Sequence, residues 1–190
     1  MILFIDTHDE LITIALKNNE DLFIKTKVSE DAHSVYTMPM IEEIFKENNL
    51  NIKDLEKIIV VNGPGSFTGV RIGAATIKGL AFDKNKPCAP VSSIDALAHN
   101  LLYADGIVCP VMNARRSQLY NALFLCENGS LTRICDDRLI SVFDLEEELK
   151  KYADKKIYLC GDGYSAARKL LGDELSFETP ELLCYQSAYS

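Results

Sequence analysis

The chain has no tryptophan, no Cys-x-x-Cys pair, no long hydrophobic run and no excess of positive charge. Its longest aliphatic run is Ile58–Val61, whereas a membrane-spanning helix needs about 20 apolar residues. Lys and Arg number 20 against 28 Asp and Glu, so the net charge is −8. Because a protein that binds nucleic acid unaided carries a basic face, we expect contact with RNA only through a partner, and no contact with a membrane.

Cysteine is present, but its six copies are dispersed along the chain. Most of them lie in apolar stretches such as Val108–Pro110. Single cysteines in apolar surroundings are typical of reduced core residues, and without paired ligands they do not predict zinc. The start, MILFIDTHDE, has no basic region ahead of its apolar residues, which is unlike a secretory signal. The sequence therefore predicts a cytoplasmic protein.

Hydrophobic periodicity predicts the same order of elements twice: three strands, a helix, a strand and a helix. The order occupies residues 1–104 and recurs in residues 105–190, which we predict to be an N-terminal and a C-terminal lobe. Three antiparallel strands followed by crossover helices imply a mixed sheet with helices on its faces. Thr179–Glu181 has the pattern of a helix start, and only nine residues follow it. The last helix of the C-terminal lobe is therefore expected to be cut short.

A glycine-rich turn links the fourth predicted strand to the second predicted helix, Gly69–Asp83. Its backbone N–H groups could hold an anion with the help of the helix dipole; the residues of this anion nest would be Gly63, Gly65, Ser66, Thr68 and Gly69. The P-loop pattern fails because no Lys-Ser/Thr follows, and the dinucleotide pattern fails because Thr68 stands where its third glycine belongs. A tight strand-to-helix turn without a ligand is the alternative.

The segment Gly63–Gly73, GPGSFTGVRIG, closely resembles the signature of the TsaB family, also called YeaZ. Further segments are similar to that family and follow in the family's order. They are Ile5–Thr7, Ala32–Ser34, Lys78–Ala81, Val91–Ala98 and Asn113–Tyr120. The resemblance covers nearly the whole chain, and the glycine segment is its most specific part.

This resemblance implies a duplicated actin-like, sugar-kinase-like fold of the ribonuclease H-like group, with two α/β lobes. It also implies a role in forming N6-threonylcarbamoyladenosine next to the anticodon of tRNA. TsaB proteins are non-catalytic partners that dimerise with the transferase TsaD and activate it, beside the ATPase TsaE. The implied partners are therefore a TsaD-type transferase, a TsaE-type ATPase and, in isolation, a second copy of the chain.

The residues themselves also favour a non-catalytic role. TsaD holds a metal with two histidines four apart on its first helix, whereas here Thr37 stands four residues after His33. Asp6 ends the first strand, but Asn113 occupies the place where the family usually has a second acid. One carboxylate and one amide cannot form a paired-acid site. We predict no catalytic residue, cofactor or metal; an ATP-dependent sugar-type kinase and a glycoprotease-like metallopeptidase are the alternatives.

The first predicted helix, Ser34–Asn48, has more apolar positions than one packing face needs. Val35, Met38, Ile41 and Phe45 form one strip and could pack on the sheet. A second strip would then be exposed and would form a partner surface, together with small residues that let a second helix approach. The predicted interface residues are Tyr36, Met40, Ile44, Gly69, Gly73 and Thr76. A helix buried on both sides within its lobe is the alternative.

Arg115 and Arg116 form an adjacent cationic pair after a predicted strand of the C-terminal lobe. A solvated hairpin would explain them. A contact with a partner or with a nucleotide phosphate inside a complex is the other interpretation, because guanidinium groups bind phosphate in a bidentate manner.

Overall fold

The computed structural model describes residues 1–29, 33–82, 86–169 and 177–178. The chain divides into two compact units, Met1–Ser93 and Ile94–Ser190, called unit 1 and unit 2 below. The predicted helix start at Thr179 lies outside the described residues. No helix in the described ranges is long and apolar enough to cross a membrane.

Unit 1 contains a mixed five-stranded sheet in the order β3-β2-β1-β4-β5. The first three strands are antiparallel, and β4 and β5 continue the sheet parallel to β1. The sheet topology therefore agrees with the expectation from the sequence. The strands are β1 (Ile2–Asp6), β2 (Leu11–Asn18), β3 (Asp21–Val28), β4 (Lys57–Val61) and β5 (Cys88–Val91), and the helices are α1 (His33–Glu47) and α2 (Phe67–Phe82).

The core of unit 1 lies between one face of this sheet and the helices α1 and α2. Met40 and Ile44 are only 6% and 1% exposed, and Tyr36 packs against the same core. The predicted exposed strip is therefore wrong for Met40 and Ile44. At 100° per residue their strip adjoins that of Ile41 and Phe45, and the sheet is wide enough to cover both. The exposed apolar residues of α1 are Val35 and Met38 instead.

Unit 2 contains a sheet in the order β10-β7-β6-β11-β12, in which β8 also pairs with β6 and β9 pairs with β8. Its strands are β6 (Gly106–Asn113), β7 (Gln118–Asn121), β8 (Phe124–Glu127), β9 (Ser130–Arg133), β10 (Arg138–Ser141), β11 (Ile157–Cys160) and β12 (Phe177–Glu178), and its helices are α4 (Val142–Leu149) and α5 (Tyr164–Arg168). Between Gln118 and Glu127 the chain forms two strands, β7 and β8, and not one continuous strand. The break faces Pro110, which has no N–H for the ladder, and the Asn121 side chain donates to the Pro110 carbonyl (2.9 Å).

The observed division between the units falls at the start of the helix α3 (Ser93–His99), whereas the predicted boundary lies after residue 104. Its side chains Ile94 and Leu97 are buried in a cluster with Val108, Phe124 and Tyr158 of unit 2. The order of elements associates α3 with the first lobe, whereas its buried contacts associate it with the second. We assign α3 to unit 2, because burial of its apolar side chains there stabilises the fold by about 25 cal/mol per Å².

Candidate functional site

The glycine-rich loop of unit 1 packs directly on the turn between β1 and β2. The Ser66 N–H donates to the His8 carbonyl (2.6 Å), and the buried Thr7 hydroxyl donates to the Gly69 carbonyl (2.7 Å). A Cβ atom on Gly69 would overlap the Thr7 carbonyl oxygen, and one on Gly65 would lie 2.8 Å from the His8 ring. The glycines are therefore required because two backbone segments touch.

This contact corrects the predicted role of the small residues on α2. Gly69 and Gly73 do permit a close approach, but the approaching group is Thr7 of the same unit rather than a second helix. A Cβ atom on Gly73 would lie 2.8 Å from the Thr7 hydroxyl oxygen. Thr76 is partly exposed. Both glycines are buried, so they cannot form a partner surface in the folded unit.

The predicted anion nest has fewer available donors than its sequence suggests. The Ser66 N–H is bonded to His8, and the Gly69 N–H lies 3.2 Å from the Ser66 hydroxyl oxygen, which caps α2. These internal bonds favour the interpretation of a tight turn. The anion nest at Gly63, Gly65 and Thr68 stays a prediction.

Asp6 and the nearby histidines form internal contacts of the β1–β2 turn. The Asp6 carboxylate accepts the His8 backbone N–H (3.0 Å) and lies 2.7 Å from the His8 ring nitrogen Nδ1. His33 is buried, and its Nε2 lies 2.6 Å from the Asp9 carbonyl. Thr37 donates to the His33 carbonyl (2.7 Å). These side chains hold the turn and the start of α1 in place.

Unit 2 repeats the same arrangement with other residues. The Gly163 N–H donates to the Val111 carbonyl of β6 (3.0 Å), and a Cβ atom on Gly163 would lie 2.9 Å from that oxygen. At the end of β6, the Asn113 side chain accepts the Arg115 N–H (2.8 Å), while the Asn113 N–H donates to Asp162 (3.1 Å). In each unit, the turn after the inner parallel strand packs on the end of a neighbouring strand.

Groups suited to metal binding or nucleophilic attack do not assemble in the part of the chain that is described. No three His, Cys, Asp or Glu side chains among those residues could hold a metal ion. Burial raises the pKa of the Cys109 thiol to about 12, so almost none of it is the reactive thiolate at neutral pH. Cys88 is exposed.

The solvent-exposed sides of α1 and α2, together called the α1–α2 outer surface below, include four large apolar side chains. Val35 and Met38 on α1 are 62% and 37% exposed, and Phe67 and Phe82 on α2 are 70% and 92% exposed. The guanidinium of Arg71 lies 3.5 Å from the centre of the Phe67 ring. Sequence reasoning did not select the two phenylalanines. Positions 67, 71, 75, 78 and 82 share one helical face, which could have indicated them.

A mixed sheet of antiparallel and parallel strands with crossover helices, present in both units, defines the duplicated actin-like class of fold. A solved structure of YeaZ from Pseudomonas aeruginosa has this fold, with a TM-score of 0.82 at 21% identity; the match covers 98% of this chain and 87% of that one. The predicted fold class is confirmed.

Sequence comparison identifies the family. A family model described as TsaD, tRNA N6-adenosine threonylcarbamoyltransferase, matches residues 24–188. The tRNA threonylcarbamoyladenosine biosynthesis protein TsaB of Bacillus subtilis is 36% identical over 92% of this chain and 76% of its own length. The protein of that name from Buchnera aphidicola of Schizaphis graminum is 27% identical over 96% and 87%. The chain belongs to the TsaB family, within the wider group that the TsaD model covers.

Proposed function

We propose that the chain is a non-catalytic subunit that binds and activates a TsaD-type transferase during formation of N6-threonylcarbamoyladenosine in tRNA. Its relatives named for this biosynthesis support the pathway. The burial and the contacts of Asp6 are the main support for the non-catalytic assignment. The carboxylate at the end of β1 is buried and is engaged by His8 from its own turn, so it is not presented to a substrate.

The alternative enzymes need groups that the described residues do not present together. A sugar-type kinase needs a second acid beside its phosphate, and Asn113 has an amide that bonds to the backbone of Arg115. A metallopeptidase needs a second histidine beside His33, and Thr37 stands in its place with its hydroxyl bonded inside α1. Asn113 therefore does not supply the second acid of a kinase, and Thr37 does not supply the second histidine of a metallopeptidase.

The α1–α2 outer surface is the proposed binding site for the transferase. Fully burying a large apolar side chain contributes about 1.5–3 kcal/mol, and Phe67 and Phe82 are largely exposed. Arg71 and Lys78 lie between these two rings on the same face of α2, so the surface combines apolar side chains with two positive charges. A second copy of the chain would use the same surface in isolation, so homodimer and heterodimer compete. The TsaE-type ATPase and tRNA then join through the heterodimer, in the cytoplasm.

Single charges on this surface test the assignment. Val35→Asp and Phe67→Asp place a carboxylate in the first turn of a helix, where the dipole favours it, so the fold is retained. Phe143→Asp is the matched control, because Phe143 is 62% exposed in the first turn of α4 in unit 2. We expect the first two variants to weaken both associations at least tenfold, or about 1.4 kcal/mol. Light scattering and titration calorimetry measure them, and wild-type affinities in both variants would rule this surface out.

A second experiment tests the absence of catalysis. The purified chain should show no kinase, ATPase or peptidase turnover. Modification of tRNA by TsaD, TsaE and the enzyme that makes threonylcarbamoyl-adenylate should nevertheless depend on addition of the chain. Turnover by the chain alone that disappears in a folded Asp6→Ala variant would overturn the proposal.

A further inference from the structure

The turn between β6 and β7 has an unusual backbone. Arg115, Arg116 and Ser117 have φ angles of 65°, 52° and 58°, so three successive residues other than glycine lie in the left-handed region. Residues with a Cβ atom avoid this region, and runs of them are rare. An ordinary solvated hairpin would place glycine or asparagine at such positions.

Contacts from the neighbouring elements hold this turn in a defined shape. The Arg115 N–H donates to the Asn113 side chain (2.8 Å), and the Gln118 N–H donates to the Arg115 carbonyl (3.0 Å). The Ser117 carbonyl accepts the first N–H of α4, from Val142 (3.2 Å). The turn is therefore preorganised rather than loose.

Several donors of the turn have no acceptor within the described residues. The backbone N–H groups of Arg116 and Ser117 have no hydrogen-bond partner there, and the guanidinium groups of Arg115 and Arg116 form no ion pair. By contrast, Arg133 is paired with Asp95 and Arg138 with Glu148. Arg115 and Arg116 therefore place two adjacent positive charges on this turn, in a chain whose net charge is −8.

These groups match a phosphate. Successive backbone N–H groups of a turn form a concavity for anions, and guanidinium binds phosphate oxygens in a bidentate manner. Two acids near the turn are engaged in bonds of their own. Asp162 accepts the Asn113 N–H (3.1 Å), and Asp144, in the first turn of α4, accepts the Ser141 hydroxyl (2.6 Å). We infer that the Arg115–Ser117 turn binds a phosphate of an RNA backbone, an assignment that rests on the proposed role in tRNA modification.

Exposure favours a polymer over a free nucleotide. Arg115, Arg116, Ser117 and Gln118 are all exposed, so the turn offers a phosphate contact without an enclosure for a base or a sugar. Contacts of this kind set the position of a nucleic acid and do not read its sequence. The turn would position tRNA that is bound mainly by the partner subunit.

Amide NMR spectra of the chain alone test the site, with a short anticodon stem-loop RNA as the probe at low salt. The RNA is added at millimolar concentration, where a single weak phosphate contact is detected even without the partner that supplies most of the affinity. The Arg116 and Ser117 amide signals should shift with RNA in the wild type and not in the folded Arg115→Gln/Arg116→Gln variant. Lys150→Gln/Lys151→Gln, at an adjacent exposed pair in unit 2, is the control and should keep the shifts. No shift of these amides, the same shift in the arginine variant, or a shift at lower concentrations of ATP than of RNA would overturn the inference.

A second measurement uses the heterodimer with the TsaD-type transferase. Each phosphate contact on single-stranded RNA contributes about 0.7 to the slope of log affinity against log salt. The turn contacts one phosphate, so the arginine variant should reduce that slope by about 0.7. An unchanged slope in an intact heterodimer would refute the inference about the turn and leave the proposed function standing. Failure of the heterodimer to form would refute the proposed function, and the amide spectra would still decide the turn.

Discussion

Alanine substitutions at Gly69 and at Gly79 should distinguish the contribution of packing to the stability of α2 from that of helix propensity. Gly69 and Gly79 are both inside α2, and alanine is favoured over glycine by about 1 kcal/mol in a helix interior. A Cβ atom on Gly79 would meet nothing within 4 Å. Gly79→Ala should therefore stabilise unit 1 by about 1 kcal/mol.

Gly69→Ala should have the opposite sign, because its Cβ atom would overlap the Thr7 carbonyl oxygen. Relieving such an overlap in a packed interior costs about 1–3 kcal/mol. The shift would also break the buried hydrogen bond from the Thr7 hydroxyl to the Gly69 carbonyl (2.7 Å), which costs about 1–3 kcal/mol when a partner is left unsatisfied. After the gain in propensity, a loss of about 3 kcal/mol is expected.

Urea denaturation followed by circular dichroism measures both variants. With a slope of about 1–3 kcal/mol per molar urea, the midpoint of Gly69→Ala should fall by about 1–3 M. Hydrogen exchange of β1 and α2 then locates the loss in unit 1. A Gly69→Ala variant as stable as Gly79→Ala would refute the packing of the loop on the β1–β2 turn.

Three further predictions concern buried groups. Ile44→Asp should unfold unit 1 instead of only blocking association, because Ile44 is 1% exposed and an unpaired buried carboxylate costs several kcal/mol; a native circular dichroism spectrum would contradict this. A thiol reagent at pH 8 should modify Cys88 in the folded protein and Cys109 only in urea, since burial holds the pKa of Cys109 at about 12; mass spectrometry locates the modification, and a reacted Cys109 in the native chain would count against its burial. Asn121→Leu should lower the free energy of unfolding by about 2–4 kcal/mol, because it leaves the Pro110 and Ala122 carbonyls without their donor; unchanged stability in urea would show that these bonds contribute little.

The candidate site could be predicted only in part. The glycine-rich loop was recognisable, since its composition and its place between a strand and a helix are local features. Its packing on Thr7 and His8 was not, because those residues are about sixty positions away along the chain. Phe67 and Phe82 were missed for a related reason: an apolar residue in a helix indicates burial on average, and only the packed unit shows that these two are exposed.

The sequence by itself determined the family of this protein and the order of elements in unit 1. In unit 2 it predicted three strands before the helix, whereas the structure has five before α4. Alternation and helical spacing are properties of neighbouring residues, so they can be recognised before the fold is known. Tertiary structure decided which face of α1 is covered, to which unit α3 belongs, and where Pro110 and Asn121 interrupt a strand. Each of these depends on contacts between distant segments: helical spacing states which side chains share a face, but the width of the sheet beneath them decides how many of those side chains are buried.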